Sequence, residues 1–240
     1  MPAAPSAGRL GDGGATGLAS LAGRPLLAHA VEALEANRCV TVMVVVCHPD
    51  ALEATAKLVA EEGFAKVVAV VAGGPTRRAG VAAGLAALPK GPGYVAVHDA
   101  ARPLVAPGAV DRLLGQLLES GAAGVVPGVP VVDTIRRVDA GQRSTGLVAR
   151  EQLRGLQTPQ LFVREVLEAA HRLAPAGGIE AADEAALVER AGHRVQVVPG
   201  DPENLKVITP LDLAVAETLL ARRRPAGGLE PGPPGERGLR

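Results

Sequence analysis

Between residues 40 and 130 short apolar runs and helical stretches take turns, and this alternation limits the possible folds more than any other feature of the chain. Val40 to Val46 is β-branched and nearly continuous, Val67 to Val71 repeats the pattern, and Tyr94 to Val97 and Gly124 to Pro130 follow. Each run is too short for a membrane span and is closed by Gly, Pro or Asp, so each reads as a strand covered on both faces. Helical segments separate them: Leu52 to Glu61, a segment ending near Leu88, and Pro107 to about Ser120. A first helix over Leu26 to Ala36, with Pro25 near its start, precedes the whole series. Such a βαβαβα rhythm predicts an α/β domain with a Rossmann-like, doubly wound and mainly parallel sheet.

The rhythm breaks after Pro130. Val131 to Val138 alternates polar and apolar residues, Asp139-Ala140-Gly141-Gln142 is a turn, and Gly146 to Arg150 leads back. This predicts a protruding β-hairpin arm over about residues 131–158, closed by Thr158-Pro159-Gln160-Leu161-Phe162. Helices then follow over Val163 to Leu173 and Ala182 to Ala191, with a short strand at Val195 to Val198. A last helix runs from Pro210 to about Leu220, with Thr209 placed as its N-cap. The domain is expected to span residues 1–221. Residues 222–240 hold four Pro and five Gly, cannot build a core, and are expected to form a disordered tail.

Composition removes several classes of function. Lys plus Arg and Asp plus Glu balance at 25 each, so no net basic field draws the chain to nucleic acid or an anionic membrane. No apolar run has spanning length and no signal peptide is evident, which predicts a soluble, cytosolic protein. The two cysteines, Cys39 and Cys47, cannot define a disulfide scaffold and read as core packing. His29 reads as a half-buried helix residue rather than a ligand.

Chemistry concentrates where strands end. Tyr94-Val95-Ala96-Val97 runs straight into His98-Asp99-Ala100-Ala101-Arg102-Pro103. In an open α/β sheet ligands sit just past such carboxyl ends. There Asp99 can bind Mg²⁺ or a hydroxyl, and Arg102 can fork onto a phosphate. The same two residues also suit a plain ion pair tying the loop together. The strand-loop-helix unit Gly73-Gly74-Pro75-Thr76-Arg77-Arg78-Ala79-Gly80 makes a second anion site. Five glycines between Gly8 and Gly17 suit a third, although a floppy N-terminus has the same composition.

Five blocks in this order and spacing, His98 to Pro103, Asp133-Thr134, Gln157-Thr158-Pro159-Gln160, Asp183-Glu184-Ala185 and Asn204-Leu205-Lys206-Val207, resemble one family. It is 2-C-methyl-D-erythritol 4-phosphate cytidylyltransferase, and the likeness spans about residues 3–220. The resemblance implies an attack by the polyol phosphate oxygen on the α-phosphate of CTP, with Mg²⁺ present and pyrophosphate released in isoprenoid precursor synthesis. It also implies a homodimer clasped by the arm. It places Asp99 against the polyol and the metal, and Arg102, Thr134, Arg150, Thr158 and Lys206 around the polyol phosphate. Arg9, the residue at position 16, Arg150 and Lys206 take the catalytic positions. Ala3, Ala4, Arg9, Gly74, Arg77 and Gly80 take the nucleotide positions.

The nucleotide half departs from the family pattern. Ala-Ala-Gly-x-Gly-x-Arg followed by Pro-Lys becomes Ala3-Ala4-Pro5-Ser6-Ala7-Gly8-Arg9 followed by Ala15-Thr16. Pro5 has no N–H to offer a phosphate, and the lysine position holds Thr16. The serine expected at Gly80 and the threonine expected at Ala182 are also replaced. Three readings follow: a cytidylyltransferase working slowly, a paralogue that binds a polyol phosphate or only dimerises, and a nucleotidyltransferase using another nucleotide.

Overall fold

The computed structural model describes residues 16–173 and 183–223. The N-terminal positions Ala3, Ala4 and Arg9, residue Ala182 and the tail from residue 224 lie outside them. The described chain opens with a 3-10 turn at Thr16–Leu18 and two small paired strands, β1 (Ser20–Leu21) and β2 (Arg24–Pro25). Helix α1 (Leu26–Glu35), strand β3 (Met43–Cys47), helix α2 (Leu52–Glu62) and strand β4 (Val67–Ala72) follow. Then come α3 (Arg77–Ala87), β5 (Tyr94–Val97), α4 (Ala109–Ser120) and β6 (Gly124–Pro130). The arm is β7 (Ile135–Val138) and β8 (Ser144–Val148), and the chain returns through β9 (Arg154–Leu156) and β10 (Gln160–Val163). It ends with α5 (Arg164–Leu173), α6 (Glu184–Arg190), β11 (Val195–Pro199) and α7 (Pro210–Arg223).

The alternation of strands and helices is as the sequence predicts. β3 runs parallel to β4, and β11 runs parallel to β6. β10 lies antiparallel to both β5 and β6, so those two strands point the same way with β10 reversed between them. The sequence reading treats residues 158–162 as the mere close of the arm; residues 160–163 are instead a central strand. The signal was weak because a lone four-residue run after Pro159 carries no alternation. Among the described residues the arm strands pair with each other alone, while β9 rejoins the main sheet along β6.

Strand alternation then sorts the core. Val125 and Leu161 face α4, whose Val110, Leu113 and Leu117 form one helical stripe. Val126 and Phe162 face the other way, onto Leu167 of α5 and Val188 of α6. Phe162 is fully buried, and a Cβ on Gly124 would stand 2.4 Å from its ring, so only glycine fits there. Thr209 caps α7 as expected: its hydroxyl donates to Asp212 at 2.9 Å and accepts the Asp212 N–H at 3.2 Å. His29 is buried, with Nε2 3.0 Å from the Leu21 carbonyl oxygen. The reading of both cysteines as core packing fails for Cys39, which is exposed.

Among the described residues β3 pairs with β4 alone and β5 with β10 alone, so no ladder among them joins β3 to β5. Between them lies a cavity of about 710 Å³, lined by residues 43–46 and 94–97. No described helix is long and apolar enough to cross a membrane.

Candidate active site

The carboxyl ends of β4 and β5 bring the chemistry together. β5 ends at Val97, and the chain turns at once, the Arg102 N–H donating to the Asp99 carbonyl at 2.9 Å. After β4, Gly73 donates its N–H to the Cys47 carbonyl at 2.7 Å, and Thr76 caps α3 by accepting the Ala79 N–H at 3.1 Å. A Cβ on Gly74 would come within 2.5 Å of the Ala79 Cβ, so the turn into α3 needs glycine. That turn sets Arg77 in the first turn of α3, facing Asp99. Asp183 caps α6 through the Ala186 N–H at 3.0 Å and accepts from Gln160 Nε2 at 2.9 Å, which fixes Glu184 beside Arg77. Beyond β11, Val207 donates its N–H to the Ala101 carbonyl at 2.7 Å and so pins Lys206 to the same turn.

The result is a relay of alternating charge. Lys206 Nζ stands 2.8 Å from Asp99 Oδ2, and Arg77 reaches Asp99 Oδ1 at 3.8 Å. On its other side Arg77 donates to Glu184, whose side chain is only 1% exposed. Burial works to raise the Asp99 pKa, but Lys206 and Arg77 outweigh it and hold the carboxyl below its ordinary range. Burial dominates at Glu184 and leaves its carboxyl raised despite Arg77. For Arg77 burial is opposed by Glu184 and Asp99, and the guanidinium ends above its ordinary value. At neutral pH the mouth of the cavity therefore presents an ionised Asp99 flanked by two cations, one of them, Lys206, with 43% of its side chain open to water.

Below this relay lies a neutral strut. His98 Nδ1 is 3.1 Å from Thr158 Oγ1, and its Nε2 is 3.1 Å from the Arg102 carbonyl oxygen. Burial pushes the imidazole down to about 4, so Nε2–H donates to the carbonyl and Nδ1 accepts the threonine hydroxyl. Thr158 in turn accepts the Asp99 N–H at 3.0 Å. Arg102 is 9% exposed and donates to the carbonyls of Asn204 at 2.6 Å and Leu156 at 3.2 Å. Its Nε is buried without a partner. Gln157 ties the same loop, donating to the Asp201 carbonyl at 2.8 Å and accepting the Asp201 N–H at 3.0 Å.

Of the residues singled out from sequence, Asp99, Arg77, Thr158, Arg102 and Lys206 meet here, and Gly80 lines the cavity from α3. Thr134 and Arg150 lie exposed by the arm, where Arg150 donates to the Val132 carbonyl, and neither lines the cavity. Thr16 opens the 3-10 turn. The following Gly17 lies against the turn after Asp99, since a Cβ on it would be 3.5 Å from that of Ala100. Sequence reasoning assigned no role to His98, Glu184, Gln157 or Asn204. Only Glu184 carried a local signal, an acid in the first turn of a helix, just after an Asp cap and before the apolar run Ala185 to Val188. Among the described residues no cluster of three or more His, Cys, Asp or Glu side chains could hold a metal ion unaided.

An α/β sheet with cations around an ionised acid at its carboxyl edge, and a glycine turn opening a helix beside them, is the frame of a nucleotidyltransferase. Comparison with known proteins narrows the class. The family model described as IspD, 2-C-methyl-D-erythritol 4-phosphate cytidylyltransferase, matches residues 1–222, and the chain belongs to that family. The Nocardia farcinica protein of that name is 43% identical over 223 residues, covering 93% of each chain. The Synechocystis protein is 38% identical, covering 93% of this chain and 96% of its own. The crystal structure of the Thermus thermophilus enzyme superposes with a TM-score of 0.72 at 33% identity, covering 86% of this chain and 94% of that one.

Proposed function

We propose that this protein transfers a cytidylyl group from CTP to 2-C-methyl-D-erythritol 4-phosphate. A phosphate oxygen of the polyol attacks the α-phosphorus of CTP, the bond from that phosphorus to the bridging oxygen of the β-phosphate breaks, and pyrophosphate departs with the electron pair. The single observation that carries this reading is the Lys206–Asp99–Arg77 relay at the carboxyl edge of β5. An anionic nucleophile must approach an anionic triphosphate, and fixed cations both screen that repulsion and aim the attacking oxygen. Lys206 is the most exposed member of the relay and is placed to leave Asp99 for a phosphate. Arg77 is held from behind by Glu184 and faces the nucleotide side. The His98–Thr158 strut keeps Asp99 from turning away when its cation does.

The residues suit Mg²⁺ as well. Among the described residues the one ion-pair contact of Asp99 Oδ1 is the 3.8 Å approach of Arg77, and one carboxylate plus substrate phosphates and water is the usual magnesium set. When bound, the ion would neutralise charge on the triphosphate. A homodimer joined by the arm accounts for the exposed apolar side chains there: Val132 is 77% exposed and Leu147 65%. It would also give Thr134 and Arg150 a partner site to reach.

The test is pyrophosphate release from CTP with the polyol phosphate and Mg²⁺, run beside ATP, GTP and UTP. CTP-dependent release that falls about 10²–10³-fold in Lys206→Met supports the reading. Release with another nucleotide, or release indifferent to Lys206, overturns it.

A further inference from the structure

We propose that Arg223, in the last turn of α7, is a positioning residue for the polyol-phosphate side of the site, acting through Lys206 and Arg102, a role that presupposes the cytidylyl transfer proposed above. Its guanidinium bridges two segments that carry groups of the site. Nη1 donates to the Leu104 carbonyl at 2.5 Å, two residues after Arg102. Nη2 and Nε donate to Glu203 Oε2 at 3.1 and 3.3 Å, three residues before Lys206. Nη2 also stands 4.0 Å from Asp201 Oδ2. The planar fork of an arginine serves a carbonyl and a carboxylate at once, which the compact charge of a lysine does not.

Coulomb attraction alone would not make this bridge matter. The Glu203 side chain is 40% exposed, and ion pairs so open to water contribute little. The carbonyl differs. Leu104 is 1% exposed and packs with Val207 and Ala216 in one cluster, and a buried acceptor that loses its donor is costly. Arg222 supplies the contrast, since it approaches the same acid, at 3.8 Å from Glu203 Oε1, from a largely exposed side chain.

Helix α7 holds both ends of the stretch that carries Lys206. At its start the Asp212 carboxylate accepts the N–H groups of Ile208 at 3.0 Å and Thr209 at 2.8 Å. At its end Arg223 holds Glu203. The lengths agree: the 14 residues of α7 at a rise of 1.5 Å cover about 21 Å, and the steps from Glu203 to Thr209 reach at most about 21 Å. Between these ties Asn204 accepts the Arg102 guanidinium on its carbonyl at 2.6 Å and donates Nδ2 to the Thr158 carbonyl at 2.8 Å. The Val207 N–H reaches the Ala101 carbonyl at 2.7 Å. Releasing Arg223 frees one end of the stretch, and Lys206 and the carbonyl that aims Arg102 lose their register with Asp99.

Arg223→Ala, with Arg222→Ala beside it, tests the role through kinetics and amide hydrogen exchange on the full chain. In Arg223→Ala, kcat/KM for the polyol phosphate should fall about tenfold while KM for CTP stays within about twofold. The Val207 amide should exchange about tenfold faster while the Val125 amide, in the buried strand β6, keeps its rate. Arg222→Ala should change neither. Val207 exchange at the parent rate overturns the role. Equal acceleration at Val125 overturns it too, since a variant that is merely less stable loosens both. So does faster Val207 exchange with kcat/KM unchanged, or an equal loss in Arg222→Ala, where charge on Glu203 would be enough. If the parent itself releases no pyrophosphate from CTP and the polyol phosphate, the transfer reading falls and takes the kinetic role with it. The two exchange rates alone then support or overturn the fastening of the stretch by Arg223.

Discussion

Replacing Arg77 by alanine isolates the electrostatics of the site, because it leaves Glu184 buried with a charge and no counterion. The Glu184 side chain is 1% exposed, so the range for breaking a buried pair applies with little discount, about 3–5 kcal/mol at pH 7. For a domain of this size that is a fall in Tm of about 6–20 °C. The pH dependence follows from the direction of the Glu184 shift. Its carboxyl is already raised in the folded protein by burial, and loss of the Arg77 cation raises it further. A carboxyl raised on folding binds a proton more tightly in the native state. Stability is then lost as pH climbs from the unfolded value, about 4.3, through the folded one. The deficit of Arg77→Ala against the parent must therefore be full at neutral pH and shrink toward pH 4, where Glu184 is protonated in both. Urea unfolding of parent and variant at pH 4.5, 6 and 7.5 measures it. Glu184→Gln should cost only about 1 kcal/mol, since 37% of the Arg77 side chain is exposed and its charge can turn to water. The double variant should recover most of the loss. A deficit that is flat with pH, or below about 1 kcal/mol at pH 7.5, would refute the relay as drawn.

Two further outcomes are expected. Leu147→Asp places a charge among the exposed apolar side chains of the arm; it should convert the proposed dimer to a monomer in sedimentation velocity while leaving Tm within about 2 °C. Unchanged sedimentation would remove the arm from the interface. Thr16→Lys puts a lysine where the family pattern has one, at the first residue of the 3-10 turn, and kcat should rise by about tenfold or more with little change in KM for the polyol phosphate. No rise would mean that position 16 does not limit the reaction.

The fold was legible because its strands are short, apolar and β-branched and its helices carry regular stripes; Val110, Leu113 and Leu117 show the pattern that a period of 3.6 requires. β10 was not legible, since four residues after a proline cannot announce that they will lie antiparallel inside a mostly parallel sheet. At the site, Asp99 and Lys206 were readable as residue types at strand ends and by family resemblance. The strut was not, because His98 and Thr158 are 60 positions apart and nothing local links them. The Arg77–Glu184 pair spans 107 positions and is hidden for the same reason. Cys39 shows the reverse error, an apolar residue type that sequence assigned to the core and the fold leaves exposed.

The most direct measurement follows the phosphorus atoms. With CTP, Mg²⁺ and 2-C-methyl-D-erythritol 4-phosphate, ³¹P NMR should show the polyol monophosphate signal replaced by two mutually coupled diphosphate signals, in step with pyrophosphate. Pyrophosphate or CMP accumulating while the polyol monophosphate signal stays intact would contradict attack by that phosphate, and with it the role given to Lys206 and Asp99.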